Sequence, residues 1–213
     1  MFFTIIYSTK IVTTMNNIFL FAVTLISIFS FTQKSILTIK DDPNVQEIFN
    51  SDEIPELDMI IKYFDSTIIT NTKNQNIAQA YHEFFEKISN NESLQDLKKI
   101  LDNDNDTKAF IKKFKNRKVF KEIWKYSYDY RHKPGDISYM HLSLNLQGKY
   151  FKLLKSIGKN NVFIKEYVNS VQSAGCINPS LIAFIIKNHN AMDFQKPANR
   201  LFWAVHYITI LSE

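Results

Sequence analysis

The sequence predicts an all-α fold: a single orthogonal bundle of about seven to eight helices, lying behind an N-terminal signal peptide or membrane anchor. Three observations predict it. Glycine and proline are scarce, 4 and 5 residues among 213. Tight-turned sheets and nucleotide-binding α/β folds both need glycine, so the scarcity favours helices joined by short polar connections. Apolar residues recur at helical spacing along most of the chain. A hydrophobic content of 45% in this length is enough for one core, hence one domain.

Residues 11–33 carry no charged side chain, and Lys10 precedes them. The pattern predicts a secretory signal peptide over residues 1–32, with Met15 as a second possible start and Gln33 first in the mature chain. The alternative is an uncleaved anchor, because an uncharged run of this length spans a bilayer. The expected location is therefore secreted or periplasmic, or membrane-anchored through residues 11–33. No Cys follows the run, which excludes a lipobox.

Residues 33–50 read as a polar tether, with the helical domain over 51–213. The first helix takes Pro55 in its opening turn with Asp52, Glu53 and Glu56 at the positive end of its dipole, and buries Leu57, Ile60, Ile61, Phe64 and Ile68. The second covers about 76–89, with Ile77, Tyr81, Phe84, Phe85 and Ile88 inward. A third starts at Ser93, whose spacing to Asp96 resembles a capping box, and buries Leu94, Leu97, Ile100 and Leu101. The run Asp102–Asp106 opens like an EF-hand loop. Thr107 stands where that loop needs glycine and Lys113 where it needs a bidentate Glu, so Asp106 is read instead as the N-cap of the next helix.

From Thr107 to Lys133, ten Lys or Arg residues are interleaved with aromatics. Phe110, Ile111 and Phe114 form one helical stripe, and Phe120, Ile123, Trp124 and Ser127 a second, with a slip of phase near Asn116. Lys112, Lys113, Lys115, Lys118, Lys121 and Lys125 fall outside the stripes. They form either a solvated face over a core stripe or a binding face for an anionic partner. Pro134 and Gly135 break the chain. Helix is favoured for 137–157, although Leu142, Leu144 and Leu146 alternate with polar residues and leave a short β-hairpin near 139–152 as the alternative. A helix over 161–173 buries Phe163, Ile164, Tyr167, Val168 and Val171 and ends on Gly175. Asn178 and Pro179 start the next, SLIAFIIKN, and the last begins at about Pro197; both are apolar on most sides, which places them at the centre.

Charge is segregated along the chain. Residues 41–106 hold 15 acidic and 5 basic side chains, residues 107–213 hold 6 and 18, and the whole chain carries +5. Either the two parts pair internally or both are exposed.

Several chemistries have no support. Cys176 is the sole cysteine, which rules out an intramolecular disulfide and any CxxC pair. The glycines are too far apart for GxGxxG or a P-loop, and there is no GxSxG turn. His82, Glu83 and Glu86 spell HEFFE, one histidine short of a zinc-protease HExxH. Asp129 and His132 make the nearest approach to a di-iron Glu-x-x-His pair. No cofactor or metal is assigned. Nucleic acid is disfavoured as a partner, because the basic residues are mostly Lys and bidentate base readout relies on Arg.

Two functions remain. The first is a non-catalytic binding module that presents the six lysines to a protein partner or to an anionic lipid or polysaccharide surface. The alternative is a small metal-dependent or acid/base enzyme built on the buried histidines, His189 and His206, with His82, His132 or His141.

Overall fold

The computed structural model describes residues 37–89, 104–128 and 140–211, all within one unit, Leu37–Glu213. The predicted leader, the helix expected from Ser93, and Asp129, His132, Pro134 and Gly135 lie outside the described residues. The fold is mostly helical with one small two-stranded antiparallel sheet. The helices are α1 (Pro43–Ile48), α2 (Ile54–Thr72), α3 (Ile77–Ser89), α4 (Asp104–Phe114), α5 (Phe120–Ile123), α6 (Lys149–Gly158), α7 (Val162–Ala174), α8 (Pro179–Lys187) and α9 (Pro197–Leu211). Strands β1 (Trp124–Tyr128) and β2 (Met140–Leu144) lie between α5 and α6.

Order begins earlier than a tether over 33–50 implies. A 3-10 turn at Ile39–Asp41 leads into α1, whose N-cap Asp42 accepts from the amides of Asn44 and Val45. Ile39, Val45 and Phe49 are buried, and the Ser156 hydroxyl on α6 donates to Asn44 Oδ1 at 2.9 Å. Three apolar side chains in that polar stretch are enough to seat it on the core.

Helix α2 buries the predicted stripe Leu57, Ile60, Ile61, Phe64 and Ile68, and α3 buries Tyr81, Phe84, Phe85 and Ile88 of its stripe, while Ile77 in its first turn is only half-buried against the core. In α7 the Asn161 side chain caps the first turn, the five expected residues are buried, and Gly175 ends the helix at φ 74°, a conformation open to glycine. Asn178 caps α8 through the Leu181 amide at 2.8 Å.

The basic stretch departs from the helical expectation. Helix α4 starts at Asp104, which puts Asp106 inside it and not at its N-cap, and ends at Phe114. Helix α5 is a single turn, and Trp124 opens a strand where the second helical stripe was expected to continue. Trp124 pairs with Leu144 and Tyr126 with Leu142. Segment 137–157 is likewise strand at 140–144 and helix only from Lys149, so the hairpin's partner strand lies upstream of 139–152. Gly148 lies between β2 and α6. It caps α6 against the backbone of Glu122, where an added Cβ would meet the carbonyl oxygen at 2.2 Å. A strand pair takes its stability from cross-strand contacts, which a helical count along one segment does not register.

Helix α9 is buried along its whole length apart from Arg200. Trp203 meets Phe85 at 3.8 Å between ring centroids, Tyr207 meets Phe64 at 5.0 Å, and Phe202 lies edge-to-face with Tyr167 at 4.8 Å. Helix α8 was expected to be equally central. It buries Leu181, Ile185 and Ile186 but leaves Ser180 and Ala183 exposed, so it packs on one side only. Arg200 anchors α9 to α2 through Asp65, whose other oxygen accepts from the Tyr81 hydroxyl at 2.9 Å. Burial raises the Asp65 carboxyl above its ordinary pKa, and the Arg200 guanidinium opposes that rise.

Candidate functional site

Helix α4, which carries the first of the six lysines, is held through its aromatic side. Phe110 stacks on Tyr63 of α2 at 4.2 Å and on Phe114 at 5.2 Å, and the Phe114 ring meets Trp124 edge-on at 6.2 Å. Thr107 is buried with its hydroxyl 2.9 Å from the Tyr63 hydroxyl. With that side held, Lys112 and Lys113 point outward. The turn after α4 is held as firmly, since Val119 and Phe120 are buried and the Val119 amide donates to Glu56 Oε2 at 3.0 Å. Lys115 and Lys118 therefore stand on an ordered turn, with Lys121 on α5 and Lys125 on β1. All six lysines are exposed.

Part of the charge segregation resolves into pairs between the acidic and basic parts of the chain. Lys118 bonds Asp52, an exposed contact that raises the lysine's pKa and lowers the aspartate's. Lys149 donates to both oxygens of the buried Glu53, at 2.8 and 2.7 Å, and lies 6.0 Å from the Phe49 ring centroid. Arg200 pairs with Asp65. Lys112, Lys113, Lys115, Lys121 and Lys125 have no carboxylate partner among the described residues.

The histidines separate into two settings. His206, on α9, is buried, with Nδ1 3.3 Å from the Tyr167 hydroxyl and Nε2 without a hydrogen-bond partner; burial pushes its pKa down to about 3. His189 lies in the 3-10 turn after α8 (His189–Ala191) and meets His82 of α3, Nδ1 to Nδ1, at 3.2 Å. Phe194 stands edge-on to the His82 ring at 4.9 Å, and Phe85 is 6.0 Å from the His189 ring. Burial and then His82 lower the pKa of His189, with Glu86 pulling the other way. Glu83, the other carboxylate of HEFFE, accepts from the Asn74 side chain at 2.7 Å.

His189 and His206 therefore do not converge on one centre, and the close pair is His82 with His189. No short motif could have shown it, because 107 residues separate the two. His141 is half-buried on β2, and Cys176 is exposed. An open groove of about 460 Å³ between α7 and α8 is lined by Glu166, Asn169, Asn178 and Phe184 among others, and no histidine lines it. Among the described residues no group of three or more His, Cys, Asp or Glu stands ready to hold a metal, and no helix is long and apolar enough to cross a membrane.

Compared with protein-family models, with curated proteins and with solved structures, the chain matches none.

Proposed function

We propose that the chain is an exported, non-catalytic binding module, an orthogonal helical bundle around α9 that presents Lys112, Lys113, Lys115, Lys118, Lys121 and Lys125 to an anionic surface or an acidic protein partner. The observation that carries this reading is the exposure of all six lysines on an anchored backbone, five of them without a carboxylate partner among the described residues. Ordered turns and packed aromatics beneath the face reduce the entropy lost when a partner is engaged. Against an anionic bilayer each such lysine contributes about 1 kcal/mol, and the attraction weakens as salt rises.

The test is retention of the chain from Gln33 onward on a polyanion column and its cosedimentation with phosphatidylserine vesicles, beside the triple variant Lys112→Glu, Lys113→Glu, Lys115→Glu. The expected result is salt-dependent retention of the wild type and early elution of the variant. Coelution of the two at low salt would overturn the reading. Vesicle binding with no polyanion retention would point to lipid, and the reverse to polysaccharide or an acidic protein. The enzyme reading draws on one observation, the approach of His82 to His189, and competes through metal content or activity.

A further inference from the structure

We propose that His82 and His189 form a binding site for a divalent transition-metal ion, with Glu86 as the carboxylate that completes it. The geometry carries the proposal. Zinc binds imidazole nitrogen at about 2.0–2.1 Å, and two such ligands on one ion in near-tetrahedral arrangement stand about 3.3 Å apart. The two Nδ1 atoms are 3.2 Å apart, which corresponds to an angle of about 100° at an ion bound to both. A shared proton spans the same gap in a hydrogen-bonded pair. Replacing it requires each ring to tilt so that both lone pairs meet beside the line joining the nitrogens.

The surroundings restrict the rings and leave one side open. Phe194 and Phe85 wall the pair, His189 is buried, and His82 is half-buried on α3, so an ion approaches along the α3 surface. One turn further along that helix is Glu86, exposed and close enough to act electrostatically on His189. Glu83 is turned to Asn74 instead. Because no third ligand already stands in ligating range among the described residues, the ion takes two imidazoles, water, and Glu86 once its side chain swings in. Such a set suits zinc, nickel or copper, which imidazole binds well, and excludes calcium and magnesium, which want oxygen ligands throughout. It makes an exchangeable site, unlike the closed four-ligand sets of structural zinc.

The experiment titrates the full-length chain with cobalt(II), followed by visible absorption, and with zinc(II), followed by calorimetry, alongside His82→Ala, His82→Gln, His189→Ala, Glu86→Gln and Glu83→Gln. The proposal expects one equivalent of ion, affinity at least about tenfold weaker in each histidine variant, a smaller loss in Glu86→Gln and none in Glu83→Gln. His82 is half-exposed, so its two variants keep the test sound if His189→Ala fails to fold. No one-to-one binding by the wild type, or binding unchanged in both His82 variants, overturns it.

Discussion

Trp124 and Thr209 meet in the core, where the indole Nε1–H donates to the threonine hydroxyl at 2.8 Å and that hydroxyl donates to the Val205 carbonyl at 2.7 Å. Thr209→Val keeps the shape and removes the acceptor, leaving a buried indole N–H unpaired. The expected loss of unfolding free energy is about 1–3 kcal/mol, read from urea denaturation. An unchanged midpoint would mean that the indole finds another acceptor. His206 predicts a pH effect. Its folded pKa of about 3 lies below the unfolded value of about 6.5, so the folded state binds fewer protons between them. Stability is therefore full above the unfolded pKa and is lost as pH falls toward 3, at up to about 1.4 kcal/mol per pH unit. His189, also lowered, adds in the same direction. The variant His206→Phe should show a slope smaller by about one proton between pH 6 and 4 in denaturant titrations; an equal slope would place the acid sensitivity elsewhere.

Gly148 decides how two elements meet. A side chain there would press on the Glu122 carbonyl, while the Asn145 side chain holds the Lys121 carbonyl at 2.6 Å and the Lys149 amide donates to Glu122 Oε2 at 3.0 Å. The end of α5 and the start of α6 thus share one tight junction. Gly148→Ala should cost about 1–3 kcal/mol, measurable as a fall in Tm, because the obstacle is backbone and cannot rotate away; an unshifted Tm would show that the junction yields. Most helices are legible because their signals are local: the stripe of α2, the Asn caps of α7 and α8, and the glycine after α7 all act within one or two turns. The β1 strand is not. Its WKYSY segment fits helical and strand spacing alike, and its state depends on β2, whose Leu142 and Leu144 bury against the core beside α9. A lone two-stranded ribbon is marginal in water, so packing decides the outcome.

At the scale of the whole molecule, charge is what distinguishes the chain. The acidic and basic parts meet at Asp52–Lys118, Glu53–Lys149 and Asp65–Arg200, but these pairs use few of the lysines. On the proposed binding reading, Lys112, Lys113, Lys115, Lys121 and Lys125 should steer anionic partners at low ionic strength, an attraction that fades as the Debye length drops to about 8 Å at physiological salt. The polyanion experiment measures that dependence directly, and a salt-independent retention would point to apolar contact instead. Composition established the helical class, the absence of a Gly-rich phosphate-loop motif and of an intramolecular disulfide, and the charge asymmetry; helical period and capping residues placed most helices. Tertiary structure alone decided which lysines are neutralised, that α9 is buried all round while α8 keeps an open side, and that His82 meets His189 while His206 stays apart. The reason is range: period and caps act between residues about four apart, whereas these outcomes join residues as many as 107 apart and follow from how the helices pack.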